Sequence, residues 1–318
     1  MKLTIVLTVY NKEPFLHRAF KHLLNQEGVN HDDYEVLVVN DGSTDGSSAI
    51  ISEFAHSNKG VRVLTQENQG LSMARNNGVV SAKGEYVWFV DADDTISPLS
   101  VKFIVGATKE IPDVIPIYAK TDGIERVRNA IRPDIKNGKE IIIEGHWQQC
   151  GVFYVYRKSF LIEKSLRFMP GVYHEDAEFT PRMLYVAKKV KVVPEVLYTV
   201  YRDPYSITQV PRAKRAFDYI IVAVSLSRFL VECGEEGSPI GKAIDEYTAQ
   251  DINNAFYVIV QNSKDEQKKL NEVYYERREL LNRVLWNTIK LKYRVEALLF
   301  CLFPKYYVQV YKLMKCIG

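Results

Sequence analysis

Four short apolar segments, separated by helical patterns, constrain the fold of this chain more than any other feature. They lie at residues 3–9, 34–39, 61–64 and 86–90. The fourth segment does not alternate between polar and apolar residues, which is typical of a strand buried on both faces of a parallel sheet. Because apolar residues recur at helical spacing between the segments, the order predicts a doubly wound α/β fold over about the first 95 residues.

The fourth segment ends in three carboxylates within four residues, Asp91, Asp93 and Asp94. Ligands of open α/β sheets bind at the carboxyl ends of strands. Clustered carboxylates repel each other, and a bound Mg²⁺ or Mn²⁺ is the usual remedy. Such a metal completes its shell with water and phosphates, so one interpretation is a metal–diphosphate site. The other is an acidic turn that caps the next helix at Thr95 or Ser97, and a lone D-x-D pattern does not decide between them.

The loops after the first two strands also carry polar residues, namely Thr8, Tyr10, Asn11, Glu13, Asp41, Gly42 and Ser43. Since the carboxyl ends of parallel strands meet at one edge, a nucleotide can lie across these loops. Neither G-x-G-x-x-G nor G-x-x-x-x-G-K-[ST] occurs in the sequence, so a metal would be the main phosphate holder. Arg75, early in a predicted helix, can add a forked donor, although alone it would be interpreted as a surface arginine.

The second half of the chain changes from mixed to helical character. Residues 141–143 predict a short strand, and a loop then delivers His174, Glu175 and Asp176 to the start of a helix. Acidic residues are also favoured at a helix N-terminus by the dipole, so these two carboxylates have a purely structural interpretation as well. Strand signals fade from about residue 211. We therefore expect a catalytic domain at 1–210 and a helical region at 211–318.

Composition excludes several classes of protein. The chain has 318 residues and a net charge of only +3, which does not favour nucleic-acid binding. Its four cysteines form no C-x-x-C pair, so neither a zinc site nor a disulfide scaffold is indicated. The N-terminal segment is interpreted as a strand rather than a signal peptide, and no apolar run is long enough to span a membrane. A cytoplasmic location is expected.

Taken together, the motifs resemble those of family-2 glycosyltransferases with the GT-A fold. The matching pieces are T-V-Y-N-K-E at 8–13, N-D-G-S-T-D at 40–45, E-N-Q-G-L-S-M-A-R-N-N-G at 67–78, F-V-D-A-D-D at 89–94 and E-D at 175–176. They occur in the family's order and at its spacing, and they cover about the first 205 residues. Each is weak alone, but the joint match is specific.

The resemblance implies a nucleotide-diphosphate sugar donor, usually a UDP-sugar, and Mn²⁺ or Mg²⁺. It places Thr8, Tyr10 and Glu13 around the nucleotide, with Asp41 at the base and Arg75 beside the base or diphosphate. Asp91 would reach the ribose or sugar and Asp93 the metal, with Asp91 as a second metal candidate. Further expected members of the donor site are Val9, Asn11, Asn68, Ala92 and Arg202. Arg202 has an alternative interpretation as a surface arginine at a strand end.

The same resemblance makes Asp176 the base that deprotonates the acceptor hydroxyl, with Glu175 beside it. A metal that neutralises the leaving diphosphate removes the need for a general acid. A carboxylate on the opposite side then deprotonates the incoming hydroxyl. A single displacement inverts the anomeric centre, so an α-linked donor would give a β-linked product.

The chain departs from the family near the acceptor. Trp147 is followed by Gln148, Gln149 and Cys150, where many members carry a W-N-K-like motif. The Q-x-x-R-W motif of processive synthases does not occur, which favours a single-addition enzyme. The acceptor is therefore expected only in outline, as a glycan or a lipid-linked glycan.

The C-terminal stretch mixes basic and aromatic residues. Residues 284–318 contain six basic residues and one acidic residue, interleaved with rings. This pattern favours contact with a membrane interface. The alternative is that the aromatic face packs on the catalytic domain or on another subunit of a homo-oligomer.

Two rival functions stay open at this point. Residues 87–95 also fit the h-h-h-h-D-x-D-x-T pattern of haloacid-dehalogenase-type phosphatases, in which Asp91 would be the nucleophile. That nucleophile normally follows the first strand, whereas three strands precede it here. The other rival is an inactive protein that binds sugar nucleotides or acts as a scaffold.

Overall fold

The computed structural model describes residues 1–201 and 212–317, with side chains through residue 315. The chain divides into two compact units. The sheet unit comprises Met1–Gly171 with Met183–Asp203, and the helical unit comprises Val172–Arg182 with Pro204–Gly318. The boundary near residue 210 stays a prediction, but the segment that carries Glu175 and Asp176 groups with the helical unit.

The described part of the sheet unit contains one mixed sheet. Its strands are β1 (Leu3–Val9), β2 (Tyr34–Asn40), β3 (Val61–Thr65), β4 (Tyr86–Asp91), β5 (Thr95–Ile96), β6 (Val114–Thr121), β7 (Ile124–Arg128), β8 (Tyr154–Arg157) and β9 (Val193–Val200). Their order is β3-β2-β1-β4-β8-β6-β9-β5, and β7 pairs with β6. The half formed by β3, β2, β1 and β4 is parallel, as predicted, whereas β8 pairs antiparallel with β4 and β6.

Register brings the strand ends to one edge. Thr8 of β1 pairs with Asp91 of β4, and Val9 pairs with Asn40 of β2. Every residue of β1 and β2 is buried, and β4 is buried until Asp91, where the strand ends. The loops that follow these three strands therefore start side by side.

Helices cover the sheet and follow its strands. They are α1 (Glu13–Leu24), α2 (Ser47–Ser57), α3 (Leu71–Ser81), α4 (Ser100–Thr108), α5 (Gly138–Glu144) and α6 (Lys158–Glu163). Helix α7 (Glu175–Val186) begins in the helical unit, and its last four residues group with the sheet unit. This arrangement confirms the predicted α/β class.

The strand predicted at residues 141–143 is wrong, because these residues lie in α5. The side chain of Asn137 accepts a hydrogen bond from the backbone N–H of Glu140, and Gly145 ends the helix with a φ of 75°. These two caps outweigh the strand preference of three consecutive isoleucines.

The helical unit also contains α8 (Ala213–Glu232), α9 (Pro239–Ile259), α10 (Lys264–Glu276), α11 (Arg278–Asn287), α12 (Leu291–Leu302) and α13 (Tyr307–Ile317). Its core includes a cluster of rings, in which Tyr274 lies 4.4 Å from Tyr307 and 5.3 Å from Phe300 between centroids. Helices α10 and α11 are separated at Arg277. None of the helices within the described ranges combines the length and apolar character needed to cross a bilayer.

Candidate donor-binding site

The loop after β1 is fastened to the loop after β2. The Asn11 side-chain carbonyl accepts from the Thr44 N–H at 2.8 Å, and the Asn11 N–H donates to Ser43 Oγ at 3.1 Å. Glu13 Oε2 accepts from the Gly46 N–H at 2.8 Å. Asn11 has a φ of 52°, a left-handed conformation that asparagine tolerates better than most residues. The motif residues Asn11 and Glu13 thus set the shape of this edge of the sheet.

The residues just before this junction differ in exposure. Thr8 and Val9 are buried members of β1, whereas Tyr10 is 47% exposed. An exposed ring directly after a strand offers a stacking surface to a planar ligand. Of these three predicted residues, Tyr10 is the one that presents a side chain to solvent.

Asp41 organises the loop between β3 and α3. It is 3% exposed, and its Oδ1 accepts from the Gln66 side chain at 2.7 Å and from the Gln69 N–H at 2.9 Å. Its Oδ2 accepts from the Gly70 N–H at 2.8 Å. Asn68 lies in this loop and is exposed. The carboxylate therefore holds the start of α3 in position.

Arg75 is not a surface arginine. It is 3% exposed and lies between two rings, with its guanidinium carbon 5.8 Å from the centroid of Phe89 and 5.3 Å from that of Phe168. Its Nη2 donates to Asp91 Oδ1 at 3.1 Å. The Asp91 side chain keeps 34% of its surface exposed. A buried guanidinium thus orients a carboxylate that still faces solvent.

Asp93 has a cation beside it. Lys12 Nζ lies 2.7 Å from Asp93 Oδ2, and the two side chains are 26% and 18% exposed. Arg18 donates to the backbone carbonyl of Asp93, and its guanidinium carbon lies 4.0 Å from the centroid of Tyr201. Sequence reasoning missed both cations. Lys12 lies inside the motif at 8–13 and was available there, whereas Arg18, further along α1, carries no motif signal.

Asp94 serves the fold. Its carboxylate accepts from the Tyr198 hydroxyl at 2.8 Å and from the Tyr201 N–H at 2.8 Å. Burial, and then the nearby Asp91 carboxylate, raise the pKa of Asp94 to about 7. The Tyr198 hydroxyl also accepts from the Asp91 N–H at 3.1 Å. The acidic turn is thereby tied to β9.

The alternative in which this turn caps a helix is wrong. Thr95 lies in β5, and α4 begins only at Ser100 with Leu99 in the N-cap position and no side-chain cap bond. The three carboxylates instead have three different partners. The turn therefore leaves Asp91 and Asp93 partly exposed at the sheet edge.

These two carboxylates fit a divalent metal. No group of three or more metal-ligating side chains is found among the residues the structure describes. A hard cation with one or two carboxylate ligands completes its shell with phosphate oxygens and water. The Lys12 ammonium already stands as a cation on Asp93, which shows that this carboxylate attracts positive charge.

The predicted base belongs to the helical unit. Glu175 and Asp176 open α7; Glu175 is 6% exposed, and Asp176 is partly exposed. Asp176 Oδ1 accepts from the Ala177 N–H at 2.8 Å. Acidic side chains are favourable in the first turn of a helix. A partly exposed carboxylate at this position can accept a proton from a bound hydroxyl.

The loop before α7 is held by α8. The Tyr173 N–H donates to Asp218 Oδ2 at 3.0 Å, and the ring of His174 stacks on Tyr219 with centroids 3.6 Å apart. Burial, and then the charges of Arg215 and Lys214, lower the pKa of His174 to about 3. His174 is therefore a neutral packing group at neutral pH.

The predicted residues fall into three sets. Those from the loops after β1, β2, β3 and β4 share one edge of the sheet unit, whereas Glu175 and Asp176 lie in the helical unit. Arg202 lies outside the described residues.

A surface cavity of about 750 Å³ lies at the opposite edge, among Lys2, Lys83, Glu85 and Lys158. Lys2 and Glu85 precede β1 and β4, so this cavity faces the amino ends of the parallel strands. In open α/β sheets, ligands bind at the carboxyl ends of the strands, which form the other edge.

Comparison with known proteins connects this edge to a family. The family model described as Glycosyl transferase family 2 matches residues 4–166, just over half of the chain. The uncharacterized glycosyltransferase YibD of Escherichia coli K12 is 27% identical over 225 residues, which covers 66% of this chain and 64% of YibD. The chain thus spans less than two thirds of that relative.

Solved structures show the same fold. The crystal structure of S. aureus TarS 1-349 in complex with UDP-GlcNAc has a TM-score of 0.71 at 20% identity, with 98% of this chain and 88% of that chain covered. The mannosyltransferase PcManGT from Pyrobaculum calidifontis, in complex with GDP-Man and Mn²⁺, has a TM-score of 0.51 at 15% identity, with 98% and 86% covered. These likenesses concern the fold.

Proposed function

Because the chain belongs to glycosyl transferase family 2, we propose that it transfers a sugar from a nucleotide-diphosphate sugar, a UDP-sugar, to an acceptor hydroxyl in glycan or polysaccharide assembly. One observation carries the proposal. The partly exposed carboxylates of Asp91 and Asp93 lie at the carboxyl edge of a parallel sheet, with the buried guanidinium of Arg75 behind them. Family membership also removes the phosphatase alternative, because the matched model includes β4 and Asp91.

We assign the donor to the loops of the sheet unit. Tyr10 offers its exposed ring to the nucleotide, while Thr8, Val9 and Ala92 form the buried floor. Asn11, Glu13 and Asp41 hold the loops in shape through the hydrogen bonds described above, and Asn68 is exposed for contact. A UDP-GlcNAc complex of a protein with this fold supports the choice of donor.

Asp93, with Asp91 as the second ligand, would hold Mn²⁺ or Mg²⁺. Such an ion neutralises the charge that develops on the leaving diphosphate. The Mn²⁺ complex of the mannosyltransferase with a related fold supports this assignment. Arg75 orients Asp91, and Lys12 supplies a further positive charge at the same edge.

Asp176 is proposed as the general base, with Glu175 beside it. It takes the proton of the acceptor hydroxyl as that oxygen forms a bond to the anomeric carbon. The bond from this carbon to the diphosphate oxygen breaks in the same step, and its electron pair leaves with the nucleoside diphosphate. Because one displacement inverts the carbon, an α-linked donor gives a β-linked product.

We further propose that the acceptor is a glycan or a lipid-linked glycan and that the enzyme works in the cytoplasm, at the membrane face. The basic and aromatic residues of 284–318 support membrane contact. Self-association into a homo-oligomer stays a prediction.

Calorimetry of UDP binding with and without Mn²⁺ tests the donor half. Wild-type protein is expected to bind UDP more tightly with the metal, and Asp93→Asn is expected to lose that gain, at least about tenfold, because a charged ligand is removed. Asp32→Asn, at an exposed position of the sheet unit, is the control. Metal-independent or absent UDP binding by the wild type would refute the proposal.

Sugar transfer tests the base. Asp176→Asn is expected to keep donor binding and to lose transfer by about 10²–10⁴-fold, the usual contribution of a general base. If this variant retains transfer, the assignment of Asp176 is wrong. If wild-type protein binds UDP but neither hydrolyses nor transfers any UDP-sugar of a panel, the inactive-binder alternative replaces the enzyme.

A further inference from the structure

Helix α12 carries apolar residues on two opposite faces. The inward face contributes Tyr293, Ala297 and Phe300 to the core of the helical unit. The outward face contains four exposed apolar side chains: Leu291 (72%), Val295 (42%), Leu298 (51%) and Leu302 (62%). At about 100° per residue, these four fall within a sector about 60° wide. We call these four residues the outer stripe.

Exposed rings and aliphatic side chains also precede and follow α12 in the sequence. They are Trp286 (57%), Ile289 (76%), Phe303 (52%) and Tyr306 (61%). Single exposed apolar residues are ordinary, but a contiguous series marks an interaction surface. Tryptophan and tyrosine at its ends are typical of the depth of lipid headgroups.

The C-terminal aromatic residues therefore divide into two sets. Tyr293, Phe300, Tyr307 and Tyr311 are buried in the core of the helical unit itself, so they are not available to a surface contact. Trp286, Phe303 and Tyr306 remain exposed in the described chain and flank the outer stripe. The exposure of this second set is the observation that a surface contact would explain.

Positive charge borders the outer stripe. On the same helical projection Lys292 lies on one side of it and Arg294 on the other, and Lys305 follows α12. Between residues 290 and 315 the only acidic residue is Glu296, which is 2% exposed. Within the described residues, this segment thus presents basic groups to solvent and no exposed carboxylate of its own.

We propose that the outer stripe docks on an anionic lipid surface, with Leu291, Val295, Leu298 and Leu302 inserted among the acyl chains. Lys292 and Arg294 then lie at the level of the phosphate groups. A second copy of the chain is a poorer occupant, because a self-complementary contact would place these cations opposite their own kind. The docking itself does not depend on the proposed function. Its purpose does, because docking would bring the enzyme to a lipid-linked acceptor.

Co-sedimentation with vesicles tests the docking surface. Wild-type protein is expected to bind vesicles that contain phosphatidylglycerol, and to bind pure phosphatidylcholine vesicles at least about tenfold more weakly, because each basic residue gains about fivefold from the anionic surface. Leu291→Ser with Leu298→Ser is expected to weaken binding by about tenfold or more per leucine. Lys292→Glu with Arg294→Glu is expected to abolish the preference for the anionic lipid.

Ile143→Ser with Ile162→Ser is the matched control, because both isoleucines are exposed (56% and 61%) but lie in the sheet unit. This control is expected to bind like the wild type. Circular dichroism and UDP calorimetry on every variant verify the fold and separate this proposal from the donor assignment. The proposal is overturned if the leucine substitutions leave the affinity for vesicles unchanged. It is also overturned by wild-type self-association that the same substitutions abolish while vesicles are not bound.

Discussion

At Asp93 a lysine pairs with the carboxylate that we propose as a metal ligand. Lys12 Nζ lies 2.7 Å from Asp93 Oδ2, and both side chains are largely but not fully shielded from water. An ion pair that is still partly exposed is worth about 1 kcal/mol. The pair is therefore weak enough for a divalent cation and a diphosphate to displace.

Removing this lysine should make the metal site easier to fill. Lys12→Met is expected to raise the affinity for Mn²⁺ in the absence of nucleotide by about three- to fivefold, since about 1 kcal/mol corresponds to that factor. Titration of free Mn²⁺ by electron paramagnetic resonance measures the affinity directly. Lys21→Met, at an exposed position of α1, is the control and should leave the affinity unchanged. An unchanged Mn²⁺ affinity in the Lys12 variant would show that the lysine does not compete with the metal.

The residue scale also shows how far the sequence can predict the site. Asp91 and Asp93 were predictable, because an apolar strand that ends in carboxylates has a specific place in an α/β sheet. The roles of Asp94 and Arg75 were not. Asp94 depends on Tyr198, which lies more than 100 residues away in sequence, and the burial of Arg75 depends on Phe168. Local patterns carry no information about such distant partners.

Among the elements, α3 and α4 each contain a glycine, but the surroundings of the two glycines differ. A Cβ added at Gly78 of α3 would lie 2.6 Å from Val6 Cγ1 of β1. At Gly106 of α4, nothing in the described chain lies within 4 Å of such a Cβ. The first glycine is required by close packing of helix on sheet, and the second is not.

Two substitutions separate these effects. Gly106→Ala is expected to raise the free energy of unfolding by about 0.5–1 kcal/mol, because alanine loses less backbone entropy in a helix. Gly78→Ala is expected to lower it by about 1–3 kcal/mol, because Val6 must move to admit the methyl group. Urea unfolding of both variants measures the changes. Equal effects in the two helices would contradict the contact between Gly78 and Val6.

Helices and strands were predicted correctly where the spacing of apolar residues and the residues at the ends of the segment indicated the same element. The parallel half of the sheet follows the predicted strands, and α7 begins at the predicted carboxylates Glu175 and Asp176. The error at α5 has a physical cause: three isoleucines carry no period, so the caps at Asn137 and Gly145 decide the structure. The antiparallel strand β8 does not follow from the sequence, because its pairing with β4 and β6 is not encoded locally.

For the whole molecule, two buried carboxyl groups make the stability of the helical unit depend on pH. Asp245 is 1% exposed and Glu296 is 2% exposed. Burial raises the pKa of each to about 7, against the lowering effects of hydrogen bonds from Asn287 and Asn253. Both groups bind protons more tightly folded than unfolded. Their contribution to stability is therefore complete below the unfolded pKa, near 4, and is lost as the pH rises towards 7.

Asp245→Asn is expected to flatten this dependence. Each pH unit between about 4 and 7 costs the wild type up to about 1.4 kcal/mol for this group, and the amide has no proton to lose. Thermal unfolding at pH 5 and pH 8 measures the difference. Glu272→Gln, at an exposed position of α10, should retain the wild-type dependence. A wild-type transition temperature that rises between these pH values would contradict the assigned protonation of Asp245.

The grouping of Val172–Arg182 with the C-terminal helices has a consequence for how such enzymes diversify. The loops assigned to the nucleotide precede residue 171, whereas Asp176 and the α8 residues that hold its loop follow it. Residues 183–203 belong to the sheet unit as well, and their strand β9 pairs with β5 and β6. Recombination that replaces 1–171 and 183–203 together would therefore leave the internal contacts of each unit intact. On the proposed assignment, such a chimaera is expected to acquire the relative's choice of sugar and to keep its own acceptor, so that the two choices can be inherited separately.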